Sequence, residues 1–175
     1  LAGQRGIAEL ELRDSTARPT FIARTDKVTV ELLLPENDEA LGKALGAKLR
    51  SQIRRADREA PEVASGGADL LDEFYPVFAA TMRDLGTPVY ARKFFRLVLE
   101  RYGSDCNLLV VRLRGKAAAA ALLTHFRDRT EIPWAASLHD LRSTSVNMRL
   151  YWECLLYAIG RGSRVFDFGR STVDS

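Results

Sequence analysis

Residues 145–172 read SVNMRLYWECLLYAIGRGSRVFDFGRST. Met148, Tyr151, Trp152, Leu155, Leu156 and Ile159 recur at helical spacing, so this stretch predicts an amphipathic helix. Ser145 or Asn147 supplies an N-cap, and Gly160 and Gly162 on either side of Arg161 form a C-terminal stop. Arg164-Val165-Phe166-Asp167-Phe168 then alternates polar and apolar side chains, as a strand does. Gly169, Arg170, Ser171 and Thr172 follow at the C-terminal end of that strand, where open sheets commonly bind ligands. An ordinary polar turn is the plainer reading of the same residues.

Upstream of the helix the period is two. Residues 108–113, 117–126 and 130–138 predict three antiparallel strands, joined by turns at Gly115-Lys116 and Arg127-Asp128-Arg129. The alanine run of the second is a poor strand former, and Pro133 in the third predicts an edge position or a bulge. A bulge would re-aim the neighbouring Trp134 and Ser137 toward a site; otherwise Trp134 fills the core.

Further back the period is helical. Residues 38–59 predict one helix, capped by Asn37 or Asp38. Leu41, Leu45, Leu49 and Ile53 form one stripe, and Arg50, Arg54 and Arg58 a second, with Arg55 alongside. That basic stripe is either a solvated helix face or a ridge that holds a polyanion. Ser65-Gly66-Gly67 reads as a turn. A helix starts near Ala68, with Pro76 expected to kink or split it and Gly86 to stop it. Another runs from Thr87-Pro88 to about Tyr102, burying Phe94, Phe95, Val98 and Leu99. At the start of the chain, residues 7–13, Thr20-Phe21-Ile22 and residues 28–34 suggest extended segments.

The composition bounds the class. The chain has 175 residues, 46% hydrophobic and 28% charged, enough for one domain with a sizeable core. A net charge of +3 permits an anionic ligand without demanding nucleic acid. No stretch is long and apolar enough to span a membrane, and no secretory signal pattern opens the chain. Cys106 and Cys154 have no metal spacing and read as buried residues of a reducing, cytoplasmic compartment; His125 and His139 are isolated, so no metal site is expected. The absence of an initial Met and the stop after a polar tail suggest a fragment.

The element order is α+β: two helices, three antiparallel strands, a helix and a strand that can lie parallel to its neighbour. This order resembles the GNAT acetyltransferase superfamily. The stretches KLRSQIRR (48–55), MRDLGTPVYARKFF (82–95), EIPWAASL (131–138), SVNMRLYWE (145–153) and VFDFGRST (165–172) resemble one branch of it, the FemAB-like proteins associated with PEP-CTERM and exosortase systems. The resemblance implies a three-layer α/β/α domain with a mostly antiparallel sheet, continuing beyond residue 175. Residues 1–36 would be a remnant of a preceding domain or peripheral strands, residues 37–60 a basic linking helix, and residues 61–175 the GNAT-like domain. It implies acyl or aminoacyl transfer to an amine, in cell-envelope or exopolysaccharide metabolism. The donor would be acyl-CoA or aminoacyl-tRNA, and the acceptor a nucleotide- or lipid-linked precursor. The turn before the main helix, His139 to Ser145, has no glycine, which argues against a coenzyme A pyrophosphate cradle.

For such a transfer, Arg170 would pair with a phosphate or carboxylate, and Asp167 would act as general base or orient Arg170. Ser137, Asn147, Ser171 and Thr172 would supply hydrogen bonds. Trp134 and Tyr151 would form an apolar wall. Arg50, Arg54, Arg55 and Arg142 would attract the anionic donor. A strand-end ion pair is the structural alternative for Asp167 and Arg170. With no self-sufficient catalytic constellation apparent, a glycan- or precursor-binding module on the same fold stays open.

Overall fold

The structure, a computed structural model, describes residues 6, 11–12, 16, 18–23 and 25–173. The chain divides into two compact units, residues 1–28 with 171–175 and residues 29–170. In the smaller unit, the Phe21 N–H donates to the Arg18 carbonyl (3.0 Å), so the extended segment expected at Thr20-Phe21-Ile22 is a turn instead. The strand expected over residues 7–13 falls mostly outside the described residues, and Glu11 and Leu12 are not in a strand.

The larger unit is built on a six-stranded sheet. In chain order the strands are β1 (Lys27–Leu33), β2 (Glu62–Gly66), β3 (Cys106–Leu113), β4 (Lys116–Phe126), β5 (Arg129–Ser137) and β6 (Val165–Thr172). Their order across the sheet is β1-β6-β5-β4-β3-β2. Pairing is antiparallel from β2 through β5, and β5 and β6 run parallel, as the helical crossover between them requires. β2 is absent from the sequence expectation, where Ser65-Gly66 read as a turn. It is an edge strand five residues long, and Gly66 closes it because a Cβ there would lie 2.8 Å from the Asp69 carboxylate.

Among the described residues there are five α-helices: α1 (Asp38–Ala44), α2 (Ala47–Asp57), α3 (Leu71–Asp84), α4 (Arg92–Tyr102) and α5 (Val146–Gly160). One core lies under α3 and α4, where Phe74, Phe78, Phe95 and Leu99 meet Leu108, Val110, Ala120 and Leu122. The other lies under α5, where Leu150, Cys154 and Ala158 meet Leu109, Val111, Ala119, Ala121 and Phe166. β4 therefore faces a helix layer on each side. Its alanines, Ala118 to Ala121, are no more than 1% exposed, and their small side chains let both layers approach. Packing overrides their weak strand propensity.

The single helix expected over 38–59 is two. Asn37 caps α1 by accepting the Ala40 N–H at 2.9 Å, worth about 1 kcal/mol. Leu45 is extended (φ −68°, ψ 133°) and Gly46, a poor helix former, begins α2. Arg50 reaches back across the break and donates to the carbonyls of Leu45 and Gly42, groups the end of α1 leaves without helical partners. α3 runs unbroken through Pro76, whose side chain is exposed, so the proline does not split the helix. The helix expected from Thr87-Pro88 starts later, at Arg92. Phe94, expected in its buried face, is exposed. No helix among the described residues is long and apolar enough to cross a membrane.

Candidate functional site

The site begins with a fault in the sheet. β4 and β5 pair regularly from Ala119–Ser137 to Leu122–Trp134, then shift register, with Thr124 opposite Glu131. Ile132 and Pro133 thus face only Leu123, so the proline marks a bulge. β5 as a whole lies between β4 and β6, yet no β6 residue pairs with Pro133, so the proline also sits at a locally open strand edge.

The bulge coincides with the end of the parallel ladder. β5 and β6 pair at only three positions, Arg129–Val165, Thr130–Phe166 and Glu131–Asp167. Beyond them β5 continues to Ser137 and β6 to Arg170 without pairing to each other. Two adjacent parallel strands that stop pairing leave a wedge between their C-terminal halves, lined by backbone N–H and C=O groups. Gly169 helps β6 turn away: its φ of +84° suits glycine, and its N–H is held at 2.8 Å by the Asp167 carboxylate.

A charged clamp holds the closed end. Arg129 of β5 donates to Asp167 of β6 (3.1 Å) and to Glu31 of β1 (2.5 Å). These two carboxylates, Glu31 first, hold the Arg129 guanidinium above its ordinary pKa. Sequence reasoning missed Arg129. Its partners lie 98 and 38 residues away, and no local pattern marks such a contact. Asp167 is therefore bound to Arg129 and the Gly169 N–H, and not placed as the orienter of Arg170. Its carboxylate thus ties the Arg129 guanidinium and the Gly169 backbone together at the closed end of the wedge. Arg170 itself is exposed on β6.

The expected wall of Trp134 and Tyr151 does not form, because the two lie on opposite faces of the sheet. Trp134 packs edge-on against Phe95 (5.3 Å), Phe94 (5.6 Å) and Tyr90 (6.2 Å) on the α4 side. Each such pair adds about 0.5–1.5 kcal/mol beyond area burial. Tyr151 lies on the α5 side, 6.0 Å from the Phe168 ring, and burial pushes its hydroxyl above the ordinary pKa. Tyr151 and Phe168 thus flank one side of the wedge, and Trp134 the other. Ser137 ends β5, with its carbonyl accepting from the Thr81 hydroxyl at 3.2 Å. Asn147 lies half-buried in the first turn of α5.

Ser171 and Thr172 belong to the smaller unit, where the Thr172 hydroxyl accepts from the Lys27 ammonium at 2.8 Å. Of the basic residues, Arg50 is half-buried and donates to the carbonyls at the end of α1. Arg54 and Arg55 are exposed on α2, and Arg142 is exposed on the turn before α5.

That turn, His139–Thr144, is a 3-10 segment leaving the open end of β5. It tests whether a coenzyme A pyrophosphate fits. Such a group needs a run of N–H donors at the helix start. Here Ser145 N–H donates to the Arg142 carbonyl, Val146 N–H to the Thr144 hydroxyl, and Met148 and Arg149 N–H to the Ser145 carbonyl. Ser145 adopts a left-handed conformation (φ +60°) and its side chain makes no capping bond, contrary to the expected cap. These four donors are engaged and no glycine opens the turn, so the residues present do not offer the run of free N–H groups that a pyrophosphate needs.

Residues 47–174 match the family described as the acetyltransferase (GNAT) domain. The chain belongs to that family. The GNAT domain is similar in fold to FemX, with a TM-score of 0.77 at 14% identity over 87% of this chain and 55% of that one. It is similar as well to the C-terminal domain (DUF2156) of a putative lysylphosphatidylglycerol synthetase from Agrobacterium fabrum (TM-score 0.61, 18% identity, 84% and 49% covered). A third likeness is L-PGS from Bacillus licheniformis (0.57, 13%, 72% and 41%). The chain spans about half the length of these structures. No curated protein sequence matches it.

Proposed function

We propose that this GNAT domain transfers an aminoacyl group from an ester donor, an aminoacyl-tRNA, to an amine on a cell-envelope or exopolysaccharide precursor, in the FemAB-like manner. The observation that carries the reading is the wedge beyond Glu131 and Asp167, paired with a glycine-free turn whose N–H groups are engaged. An extended acyl group pairs with the open strand edges as a third strand would. This fixes the ester carbonyl before attack. The amine nitrogen forms the new C–N bond, the ester C–O bond breaks, and the amine's proton ends on the leaving hydroxyl. Backbone N–H groups in the wedge stabilise the oxyanion between these steps. Arg170, exposed on β6, is proposed to hold a donor phosphate, with Arg54, Arg55 and Arg142 attracting the rest of the polyanion. The relatives' names, FemX and lysylphosphatidylglycerol synthetase, support aminoacyl over acetyl transfer.

The engagement of Asp167 by Arg129 favours a second reading, a non-catalytic module that holds a glycan or precursor in the same wedge. The two readings part on turnover. The protein is incubated with labelled aminoacyl-tRNA and a panel of envelope-precursor amines, and melted with the same ligands and with acetyl-CoA. Label on the amine, lost in Arg170→Ala, supports transfer. Saturable stabilisation by a precursor without label transfer supports the binding module. Stabilisation by acetyl-CoA alone overturns both and restores a CoA-dependent N-acyltransferase.

A further inference from the structure

The outer face of α4 is not used by the wedge, and its chemistry is unusual for a solvated helix. Tyr90 and Leu97 are 54% and 44% exposed, and Phe94 is exposed beside them. The Tyr90 and Phe94 rings stack at 4.8 Å, a preformed aromatic platform. At about 100° per residue, Lys93, Phe94, Leu97 and Arg101 fall within an arc of roughly 100° on one side of the helix. Phe95 and Leu99, both buried, occupy the opposite side. Arg96 flanks the exposed arc and Glu100 lies at its edge. Among the described residues, Lys93, Arg96 and Arg101 have no carboxylate partner, whereas the neighbouring Arg92 is paired with Asp72. A helix that shows apolar side chains and unpaired cations on the same exposed face has the pattern of an interfacial helix.

We propose that this face of α4, with Tyr90, docks the domain on an anionic membrane surface. Leu97 and Phe94 enter the acyl boundary, Tyr90 sits at headgroup level as interfacial tyrosines do, and Lys93, Arg96 and Arg101 meet the lipid phosphates. RNA offers the same phosphates, but Leu97 has no π-face on which a base can stack. The aliphatic member decides for lipid. The patch adjoins the wedge, since Tyr90 and Phe94 both touch Trp134 on β5. Docking would therefore present the wedge close to the lipid surface. The proposal does not depend on aminoacyl transfer, and its test reads no activity.

The test is co-sedimentation of the protein with vesicles of phosphatidylcholine alone and of phosphatidylcholine mixed equally with phosphatidylglycerol, alongside filter binding to tRNA. Binding to the mixed vesicles, weakened by salt, is expected. Each cation near an anionic surface contributes about fivefold, so Lys93→Ala with Arg101→Ala should lower the partition coefficient about 25-fold. Leu97→Ser should lower it about tenfold through lost apolar burial. All these side chains are exposed, and an unchanged melting temperature confirms that the variants fold. No binding to mixed vesicles overturns the proposal, as does equal binding to neutral vesicles or binding that the variants leave unchanged. Binding to tRNA alone, lost in the variants, would assign the face to nucleic acid instead.

Discussion

Phe166→Ala is the sharpest test of how the wedge is held. Phe166 is fully buried and sits in β6 opposite Thr130, the middle of the three pairs that join β6 to β5. Its ring lies 4.8 Å from that of Phe168 and belongs to the core under α5 with Leu150, Cys154 and Ala158. Truncation to alanine removes the apolar burial and leaves a cavity that a close-packed sheet and helix refill only in part, at a cost of about 3–5 kcal/mol. Against a domain stability of about 5–15 kcal/mol that is a large fraction. At about 2–4 °C per kcal/mol for a chain of this size, the melting temperature should fall by about 6–20 °C. Urea unfolding followed by circular dichroism measures the loss, with an unchanged m-value showing that the unfolded state is the same. Phe168→Ala is the control: its ring is only half-buried, beyond the last pair, and should cost less. A loss below about 1 kcal/mol for Phe166→Ala would refute the reasoning, because it would mean that the three-pair ladder holds without its core anchor.

Three further perturbations have defined outcomes. Burial, first, and the nearby Arg161 hold the His125 pKa below its ordinary value, so the unfolded chain binds the proton more readily than the folded one. Stability should therefore be full above the ordinary value of about 6.5 and fall as pH drops below it, a slope that His125→Gln flattens in urea titrations across pH. Arg149 bridges Asp57 of α2 and Glu153 of α5, each at 2.6 Å, so Arg149→Ala should cost about 1–2 kcal/mol in urea, and Asp57→Ala should recover none of it if both carboxylates matter. Burial pushes the Cys106 thiol up to about 11 and Cys154 higher still, so neither should react with a thiol reagent at pH 8 until urea unfolds the domain; fast labelling of the native protein would contradict the burial.

What was legible in the sequence follows the range of the interactions. The period-two strands and the α5 helix are local patterns, and β3 to β6 and α5 form within a few residues of where the pattern puts them. Pro133 signalled the bulge because its missing N–H is a local chemical fact. Which strand it left unpaired became visible only with the sheet order. Short-range signals failed where a distant partner decides. β2 is a strand because β3 pairs with it, although Ser-Gly-Gly alone reads as a turn. The 38–59 stripe of leucines kept perfect spacing through Leu45, but the Arg50 guanidinium stabilises the broken end of α1 that a spacing rule cannot see.

The candidate site obeys the same division. The polar strand end was visible from composition, yet the roles within it depend on pairs that sequence does not encode locally. Asp167 and Arg170 are three residues apart and looked like a pair. Arg129 takes the carboxylate because the parallel register pairs it with Val165, two rungs from the Glu131–Asp167 pair and within reach of the Asp167 side chain. Trp134 and Tyr151 both looked like wall residues, and both do reach the wedge region, but a sheet has two faces and the helical crossover put one on each. The site is consequently a gap between backbones, with side chains serving to hold its closed end and flank its sides. Such a site is nearly silent in sequence: a proline, a positive-φ glycine and the end of a three-pair ladder mark it, and the chemistry it supports rests on main-chain groups that every residue carries.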